Sequence, residues 1–406
     1  MAHKKSQNAD VLCVRHILHT VGPTSFGLGS VALNLVREQR ALGIDAKIWC
    51  LDSLYDVDWA LRVAGLPADS IESFKLTGPL RYGFSVALER AATGEQGSRV
   101  HILHQHGIWS GISRVSNLWR QAFRRPTVTA PHGSLEPWAL GRAVWKKRLA
   151  SIAYESKNFR DTTCFHATAL PEADGIIRYG IHRPIALVPN GISNAWIESD
   201  GDGSRFRLHY GLPADVRILL YVGRITPVKN LEMLLAAMGR SPHMLKDWIL
   251  VIAGTDEFGY KRKLENLIEE LALERFVRFV AFVPQELKRD AYAAASALVL
   301  PSIREASPIS VLEALGAGVP VLTTHGTPWQ ELEQNRCGWW CEVELGPMVR
   351  SLHTVLSSPP SLLAEYGARG RELVRTKYTW RIAAQNCLRL YGWIRGDTER
   401  PEFVCR

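Results

Sequence analysis

The chain has 406 residues, of which 46% are hydrophobic and 22% are charged, a globular composition with enough residues for two hydrophobic cores. Its formal net charge of +9 fits an anionic partner such as a nucleotide, a phospholipid surface or a nucleic acid, and does not choose among them. No run of about 18 apolar residues occurs, and residues 1–10 lack the apolar stretch of a signal peptide, so we expect neither a membrane-spanning segment nor secretion.

The seven cysteines indicate reduced thiols in a cytosolic compartment. Their number is odd and most of them lie in apolar runs, which is not the pattern of a disulfide framework. Cys337 and Cys341 form the one close pair, with no second pair and no histidine nearby. We therefore expect no zinc site.

Short apolar runs alternate with helical patterns in the first half of the chain. After the first run, residues 30–43 have apolar positions on one face and charges on the other, which predicts a helix ending at Gly43. Repeated strand–helix–strand units imply a parallel sheet with right-handed crossovers. The predicted strands are 11–21, 44–52, 100–107, 126–133, 164–170 and 184–192.

The alternation restarts after a stretch rich in Gly, Asp and Ser at 192–215, which is the best linker candidate. We therefore predict an α/β protein of two tandem Rossmann-like units, each a doubly wound parallel sheet, facing each other across a cleft. In such sheets ligands bind at the carboxyl ends of the strands, so the loops after strands carry function. The predicted strands of the second unit are 217–225, 248–256, 277–283, 297–302 and 319–324.

Two loops have the composition of an anion site. In "GPTSFGLGS" (22–30), Gly27 and Gly29 precede a helix expected near Ser30, which suits close approach of a phosphate and equally suits a plain strand–helix turn. In "VGRITPVKN" (222–230), Arg224 and Lys229 could neutralise a diphosphate without a metal, or could be solvated cations. A P-loop sequence is absent, which disfavours ATP hydrolysis of that type.

The segment "REASPISVLEALGAGVP" carries two glutamates. Ser307 suits an N-cap and Pro308 the first helical position, so Glu305 is predicted on a loop and Glu313 in the second turn of a helix. On a helical wheel Glu313 lies opposite the apolar stripe. Glu313 is therefore either solvated or, if the other domain covers that face, a buried acceptor for sugar hydroxyls.

Taken together, Glu305 and Glu313 with the following "ALGAGVPV", the loop "VGRITPVKN", the turn "PNGI" (189–192) and the loop "GPTSFGLG" resemble the retaining glycosyltransferases of family 4, which have the GT-B fold. "PHGSLEPWAL" resembles the subgroup that builds bacterial surface polysaccharides. The resemblance covers nearly the whole chain. It implies an acceptor-side domain at 1–195, with 378–406 packing back on it, and a donor-binding domain at 205–377.

The resemblance also implies roles for individual residues. Arg224 and Lys229 would bind the donor diphosphate and stabilise the leaving group in place of a metal, so no cofactor is expected. Glu305 would contact hydroxyls of the donor sugar, and Glu313 the ribose. Pro308 and Ile309, at a helix N-terminus, would direct amide groups at the phosphate or the sugar. Gly27 and Gly29 would let their loop approach the donor, and His132 would lie near the reacting sugar.

The acceptor side is less defined. His106 and Trp109, which follow a strand, are candidates to line it, although a histidine at a strand end is often only hydrogen-bonded locally. Residues 143–160 form a basic amphipathic pattern that either lies on an anionic membrane or docks on its own sheet. Trp380 and Tyr391, in the last predicted helix, are expected to be packing anchors. A DxD-like "DVDW" at 56–59 lies in a polar segment, where we expect no metal role.

The function these features favour is transfer of a sugar from a nucleotide-diphosphate sugar to a glycan or lipid-linked acceptor, with retained anomeric configuration. We expect a cytoplasmic protein, peripheral on the inner face of the membrane. The alternative is a sugar-nucleotide 2-epimerase or hydrolase of the same fold, which would need further carboxylates at the sugar. A nucleic-acid-binding protein is suggested only by the charge, and no helix-turn-helix, zinc or RNA-recognition signature supports it. We therefore expect no nucleic-acid partner.

Overall fold

A computed structural model describes residues 11–25, 27–79, 82–257, 259–280 and 282–405. It divides into unit 1, which comprises Met1–Pro189 together with Trp380–Arg406, and unit 2, which comprises Asn190–Thr379. The sheet of unit 2 is parallel, that of unit 1 is parallel except for one edge strand, and helices pack on both, so the predicted α/β class is confirmed.

The strands follow the alternating apolar runs of the sequence, and most are shorter than predicted. They are β1 (Cys13–Ile17), β2 (Asp45–Cys50), β3 (Ile71–Ser73), β4 (Ile102–His106), β5 (Thr127–Ala130), β6 (Cys164–Ala167), β7 (Ile185–Leu187), β8 (Arg217–Val222), β9 (Trp248–Ala253), β10 (Val277–Val280), β11 (Ala297–Leu300), β12 (Val321–Thr324), β13 (Gly338–Cys341) and β14 (Val404–Cys405).

Helices connect most of the strands. They are α1 (Leu28–Ala41), α2 (Leu54–Ala64), α3 (Val86–Thr93), α4 (Glu95–Ser98), α5 (Gly111–Phe123), α6 (Pro137–Leu140), α7 (Val144–Ala150), α8 (Ser156–Asp161), α9 (Leu170–Arg178), α10 (Asn194–Glu198), α11 (Gly203–His209), α12 (Leu231–Gly239), α13 (Tyr260–Glu270), α14 (Gln285–Ala294), α15 (Ile309–Gly316), α16 (Glu331–Gln334), α17 (Leu345–Ser357), α18 (Pro360–Lys377) and α19 (Trp380–Arg395). A π-helical turn, Ser151–Glu155, joins α7 to α8.

The sheet of unit 1 has the strand order β14-β7-β6-β5-β4-β1-β2-β3, and only β14 runs antiparallel to its neighbour. The chain starts in the middle at β1, moves outward to β3, and then returns to the other side of β1 with β4. The direction of winding therefore reverses between β1 and β4. The crevice at the carboxyl ends of the strands at such a reversal is where open α/β sheets bind ligands.

The sheet of unit 2 has the order β10-β9-β8-β11-β12-β13, and all of its strand pairs are parallel. Here the winding reverses between β8 and β11. The strands are buried along most of their length, as expected for a parallel sheet covered on both faces. The loops after β8 and β11, which contain Arg224 and Glu305, therefore lie side by side at the reversal.

The last long helix, α19, belongs to unit 1, where it packs against α1. Trp380 and Tyr391 are both buried, at 6% and 0% exposure. Tyr391 does more than pack, because its hydroxyl also lies 2.7 Å from Nδ1 of His104 on the neighbouring sheet.

The predicted linker at 192–215 is instead a folded part of unit 2. It contains α10 and α11, and α11 packs against α14. Asp202 caps α11 by accepting hydrogen bonds from the backbone N–H groups of Ser204 and Arg205, at 3.0 and 3.2 Å. Phe206 and Trp196 are buried in the core of unit 2. The Gly, Asp and Ser residues that suggested a linker therefore include a helix cap.

Two predicted helix starts are also corrected. The first helix begins at Leu28 rather than near Ser30, with Gly27 as N-cap. Helix α15 begins at Ile309 with Pro308 as N-cap, so Ser307 precedes the cap. Residues 56–59, for which no secondary structure was predicted, lie in α2, whose N-cap is Ser53.

Candidate functional site

The loops after β8 and β11 are bonded to each other at the reversal of unit 2. The backbone N–H of Ile303, after β11, donates to the carbonyl of Val228, after β8, at 2.9 Å. The loop after β9 also joins, since Ile225 N–H donates to the Thr255 carbonyl at 2.8 Å. Only glycine fits at Gly254, where a Cβ would lie 1.8 Å from the Gly223 carbonyl oxygen. Three strand ends therefore form one rigid platform.

Lys229 and Glu305 form an ion pair on this platform. Their side chains are only 12% and 18% exposed. The Ser302 hydroxyl donates to the same Glu305 carboxylate at 3.3 Å. Burial, followed by the positive charge of nearby Arg224, lowers the pKa of Lys229 to about 8. The site therefore holds a desolvated cation beside a carboxylate.

Arg224 lies at the more open edge of the platform. Its guanidinium pairs with both carboxylate oxygens of Glu257, at 2.8 and 3.0 Å, and its side chain is 57% exposed. Thr226, between Arg224 and Lys229, is buried, and its hydroxyl has no hydrogen-bond partner among the described residues. The loop thus presents two cations and one unsatisfied hydroxyl within six residues of sequence.

Glu313 is buried by its own unit, which the helical wheel did not predict. It is 7% exposed because α14 covers that face of α15. Lys288 Nζ lies 2.5 Å from one carboxylate oxygen, and the Tyr292 hydroxyl donates to the other at 2.9 Å. Trp196 Nε1 donates to the Glu313 carbonyl at 2.9 Å. Glu313 is therefore not solvated, and its burial does not depend on unit 1.

Ile309 and Pro308 occupy the start of α15. Pro308 is the N-cap and is buried, whereas Ile309 is 38% exposed. Ser307 accepts a hydrogen bond from Asn190 Nδ2 at 3.3 Å, which ties the "PNGI" turn to this helix start within unit 2. The helix start therefore follows directly on the loop that carries Glu305.

The glycine loop of unit 1 lies at the other reversal, after β1. Gly27 has a φ of +95°, which favours glycine, and it caps α1. A Cβ at Gly29 would lie 2.9 Å from the Val21 Cα, so the loop can fold back only with glycine there. Asp52 fixes the loop by accepting from the Val21 N–H at 2.5 Å. Both glycines are thus required by the turn itself.

His106, Trp109 and His132 come together after β4 and β5. His106 Nδ1 and His132 Nε2 lie 3.0 Å apart. Trp109 and His132 have positive φ values of 69° and 50°, an arrangement that non-glycine residues rarely adopt and that often marks functional sites. Two buried carboxylates hold these turns: Glu155 accepts from Trp109 N–H at 2.8 Å, and Glu172 from Gly133 N–H at 2.9 Å.

Residues 143–160 do not form one regular α-helix. A π-helical turn lies between α7 and α8, and Glu155, which holds Trp109, is the last residue of that turn. Trp145, Leu149 and Ile152 are 60%, 59% and 85% exposed, whereas Phe159 is buried. Phe159 therefore faces the core, and the exposed apolar face is shorter than the sequence suggested.

Two family descriptions match the chain in succession: "Glycosyl transferase 4-like domain" over residues 26–191 and "Glycosyl transferases group 1" over residues 204–372. The GDP-mannose:cellobiosyl-diphosphopolyprenol alpha-mannosyltransferase of Komagataeibacter xylinus is 23% identical over 406 residues, covering 97% of this chain and 96% of that protein. This chain belongs to the GT4-type glycosyltransferases. The D-inositol 3-phosphate glycosyltransferase of Streptomyces avermitilis is 30% identical over 251 residues, which is 59% of this glycosyltransferase and only 53% of that relative.

Solved structures agree on the fold of this glycosyltransferase. A glycosyltransferase from Rickettsia africae superposes with a TM-score of 0.73 at 13% identity, covering 96% of this chain and 100% of that one. The sucrose-phosphate synthase of Thermosynechococcus elongatus gives 0.71 at 20% identity, covering 95% and 100%. The resemblance to family 4 and the GT-B fold are both confirmed.

The sequence did not single out Lys288 and Tyr292, the partners of Glu313 in this glycosyltransferase. Their signal is their spacing, since residues four apart lie on one face of a helix. His16, His166 and Gln39 were also missed. His104 and His106, two apart on β4, share one face of the sheet. The adjacent strand β1 supplies His16 to that face, and β6, on the far side of β5, supplies His166.

Two groups of buried side chains in unit 1 have ligand atoms within 4.8 Å of one another, a spacing that could hold a metal ion: His16, His104 and His106, and His104, His166 and Cys387. Their nitrogens are bonded within the protein, since His16 Nδ1 lies 2.8 Å from His106 Nε2, and His104 Nε2 lies 3.2 Å from His166 Nδ1. The seven cysteines are free, and only Cys405 is exposed.

Within the described ranges of this glycosyltransferase, none of the helices combines the length and the apolar character needed to cross a membrane.

Proposed function

We propose that this glycosyltransferase moves a sugar from a nucleoside-diphosphate sugar to a glycan or lipid-linked acceptor in the synthesis of a cell-surface polysaccharide, with retained anomeric configuration. The observation that carries the proposal is the largely buried Lys229–Glu305 pair at the reversal of unit 2. A cation and a carboxylate side by side suit the two ends of such a donor, because the diphosphate attracts the cation and the sugar hydroxyls donate to the carboxylate.

The diphosphate end of the donor would lie against the loop after β8. Arg224 and Lys229 supply positive charge there, and the unsatisfied Thr226 hydroxyl can donate to a phosphate oxygen. As the bond to the sugar breaks, negative charge builds on the leaving diphosphate, and fixed cations stabilise it. We therefore propose that the reaction needs no metal ion.

Glu305 would accept hydrogen bonds from the donor sugar once the diphosphate draws Lys229 towards itself. Pro308 and Ile309, at the start of α15, would place backbone N–H groups near the phosphate or the sugar. Glu313 would accept from the ribose, held ready by Lys288 and Tyr292. The donor would thus contact the two glutamates at different points, its sugar and its ribose. The different surroundings of the two carboxylates are consistent with these separate roles.

In the proposed reaction the acceptor hydroxyl oxygen attacks the anomeric carbon from the face that the diphosphate leaves. The bond from that carbon to the phosphate oxygen breaks, the new glycosidic bond forms, and the hydroxyl proton passes to the departing phosphate oxygen. No oxidant or reductant is needed. Front-face attack of this kind retains the anomeric configuration.

The acceptor would meet the unit 1 loops. His132 would lie near the reacting sugar, with His106 behind it and Trp109 beside the acceptor, while Gly27 and Gly29 would allow the β1 loop to approach the donor. The K. xylinus relative is named for a lipid-linked acceptor, cellobiosyl-diphosphopolyprenol. That name supports a lipid-linked acceptor here, because the similarity extends over both chains.

A lipid-linked acceptor implies work at a membrane surface. Trp145, Leu149 and Ile152 are exposed beside Lys146 and Arg148, which suits insertion into an anionic interface. We propose that α7 and the following π-helical turn make this peripheral contact on the cytoplasmic face. Their link to Trp109 through Glu155 would connect the contact to the acceptor loop.

The test is a panel of GDP-, UDP-, ADP- and dTDP-sugars, added singly to the protein in buffer containing EDTA. A donor that binds the native state at a concentration of a hundred times its Kd increases the free energy of unfolding by about 2.7 kcal/mol. The melting temperature rises as a result. Transfer is then measured with polyprenyl-diphosphate oligosaccharides, and the product anomer is read by NMR. Transfer with retention in EDTA supports the proposal.

The same donor without acceptor separates the alternative. Release of an epimer or of free sugar at the rate of transfer would indicate the epimerase or hydrolase of the same fold. An inverted product, or transfer that requires an added divalent cation, would overturn the proposed mechanism.

A further inference from the structure

Seven buried or half-buried side chains of unit 1 form one continuous hydrogen-bonded chain, here called the histidine chain. Six of them are 0–2% exposed, and His132 at one end is half-buried. The chain ends at the backbone carbonyl of Val188. In order, its members are His132, His106, His16, Gln39, Tyr391, His104 and His166.

The fold brings these residues together in a simple way. His16, on β1, is directly opposite His104 on β4, and His106 follows two residues later on the same face. His166 extends the row on β6. Gln39 of α1 and Tyr391 of α19 reach the row from the two helices that pack together over the sheet.

The Val188 carbonyl fixes the direction of the first half of the chain. It can only accept, so His166 Nε2, 2.8 Å away, must carry the proton. In a neutral ring Nδ1 of His166 then accepts, and His104 Nε2 donates to it at 3.2 Å. His104 Nδ1 accepts in turn, so the Tyr391 hydroxyl donates to it at 2.7 Å.

The second half follows from the single proton of that hydroxyl. Because Tyr391 donates to His104, its oxygen accepts from the Gln39 amide N–H group at 3.3 Å, and Gln39 Oε1 accepts from His16 Nε2 at 2.9 Å. His16 Nδ1 then accepts from His106 Nε2 at 2.8 Å. His106 Nδ1 finally accepts from His132 Nε2 at 3.0 Å.

The charges around the histidine chain agree with neutral rings. Burial lowers the pKa of His16 and of His132 to about 4, and it lowers the pKa of the other three histidines as well. Two charged groups act on the chain. Arg15 lowers the pKa of His16 further, and Glu172 raises the pKa of His132 and of His166 in opposition to burial. Cys387, near His104 and bonded to Tyr391, has a raised pKa and stays a thiol.

A metal ion is the competing explanation for this cluster. A metal ion bound at His16, His104 and His106 would need a free lone pair on each ring. The ring nitrogens already have partners: His16 Nδ1 lies 2.8 Å from His106 Nε2, and His104 lies 2.7 Å from the Tyr391 hydroxyl and 3.2 Å from His166. Each of these contacts is already satisfied by one donor and one acceptor. The hydrogen-bonded chain therefore accounts for every ring nitrogen between His106 and Val188 without an ion.

We propose that the histidine chain, anchored at the Val188 carbonyl and passing through Tyr391 and Gln39, holds His132 in the Nε2–H tautomer and leaves its Nδ1 as a hydrogen-bond acceptor for a substrate hydroxyl. Tyr391 and Gln39 are thereby positioning residues for His132. The role at a sugar hydroxyl rests on the proposed function, whereas the tautomer does not.

The chain can be cut at two points with little change of shape. Tyr391→Phe removes the hydroxyl that sets the direction of the second half, so the Gln39 amide can turn over and let His16, His106 and His132 reverse. Gln39→Met makes a second cut with the same consequence. Leu390→Ala is the matched control, because Leu390 is fully buried on the same helix and is no member of the chain.

The experiment records two-bond ¹H–¹⁵N correlation spectra of protein labelled at histidine, with His132 assigned from a His132→Asn variant. In the wild type we expect Nε2–H at His132. In Tyr391→Phe and in Gln39→Met we expect its two nitrogen shifts to move towards a mixture of tautomers, while Leu390→Ala lowers the melting temperature and leaves the tautomer unchanged. An Nδ1–H or mixed tautomer in the wild type, or none of this movement in two folded variants, overturns the proposal.

Two further readings complete the test. Zinc added in stoichiometric amount should leave the spectra of His16, His104 and His106 unchanged, and a shift of all three would replace the chain with a metal site. The kcat of transfer should fall in proportion to the remaining Nε2–H population, about twofold for an even mixture. An unchanged kcat despite a mixed tautomer overturns the role at the substrate, whereas a wild type without transfer but with the expected spectra contradicts only the proposed function.

Discussion

Lys229 and Glu305 form a largely buried ion pair although they are 76 positions apart in the sequence. They meet because β8 and β11 are neighbours at the point where the winding of the sheet reverses, so the loops that follow these strands lie side by side. The pair is thus a product of the sheet topology.

Replacement of either partner should impair transfer. We expect Lys229→Ala or Glu305→Ala to lower kcat/KM about ten- to a hundredfold, because each removes a charge-assisted contact of roughly 1.5–3 kcal/mol. Steady-state kinetics with the donor found in the panel measure the change. Arg369→Ala is the control, since Arg369 forms an ion pair with Glu365 within α18, outside both loops. Near-wild-type turnover in both site variants would falsify their assignment.

Donor affinity should depend on pH through Lys229. In the free protein its pKa is lowered to about 8, and a bound diphosphate raises it, so binding takes up a proton between the two values. Affinity is therefore greatest below pH 8 and should weaken by up to about tenfold per unit above it. Titration calorimetry from pH 6.5 to about 9.5 follows the change. Lys229→Arg keeps its charge throughout, so a slope as steep in this variant would exclude Lys229 as the titrating group.

The pair formed by Lys288 and Glu313 should matter for stability. Lys288→Ala leaves the Glu313 carboxylate, which is 7% exposed, without its cation, and we expect a loss of about 3 kcal/mol in the free energy of unfolding. Lys288→Met combined with Glu313→Gln should recover most of it, since no buried charge remains. Denaturant unfolding compares these variants with Arg375→Ala, which breaks an exposed pair and should cost under about 0.5 kcal/mol. Equal losses in Lys288→Ala and Arg375→Ala would contradict the prediction.

Membrane contact should depend on the exposed apolar residues of α7 and the π-helical turn. The triple variant Trp145→Ser, Leu149→Ser, Ile152→Ser should bind anionic vesicles at least tenfold more weakly in co-sedimentation, because it removes most of the apolar area that can enter the interface. The control is Leu54→Ser with Tyr55→Ser on α2, which are 78% and 73% exposed but lie beside Asp56 and Asp58. If both variants lose binding equally, or neither does, α7 is not the contact.

The sequence predicted the platform of unit 2 well, because strands, their order along the chain and their terminal loops leave local signals. Arg224, Lys229 and Glu305 each follow an apolar run, and the general rule for parallel sheets places them together. The resemblance to family 4 added their roles. The contact of Glu305 with the donor sugar and that of Glu313 with the ribose stay predictions.

Other features depend on contacts between distant elements, which local patterns do not carry. The wheel of α15 set Glu313 against its apolar stripe, but it could not include Lys288 and Tyr292 on α14. The stretch at 192–215 has the composition of a linker, yet Asp202 caps a helix there and Phe206 enters the core. The histidine chain joins five strands or strand ends to two helices, and no single segment reveals it.

Unit 1 is built from two separate stretches of the chain, and α19 is synthesised only after the whole of unit 2. Helix α1 is therefore synthesised long before its packing partner α19. Unit 2, which lies between them in the sequence, can complete its core first. Tyr391 is part of α19, so until α19 is synthesised Gln39 and His104 lack the hydroxyl to which both are hydrogen-bonded in the folded protein. The histidine chain therefore cannot be completed before Tyr391 has been translated, which couples the hydrogen bonding of His132 to a segment 259 residues further along the chain.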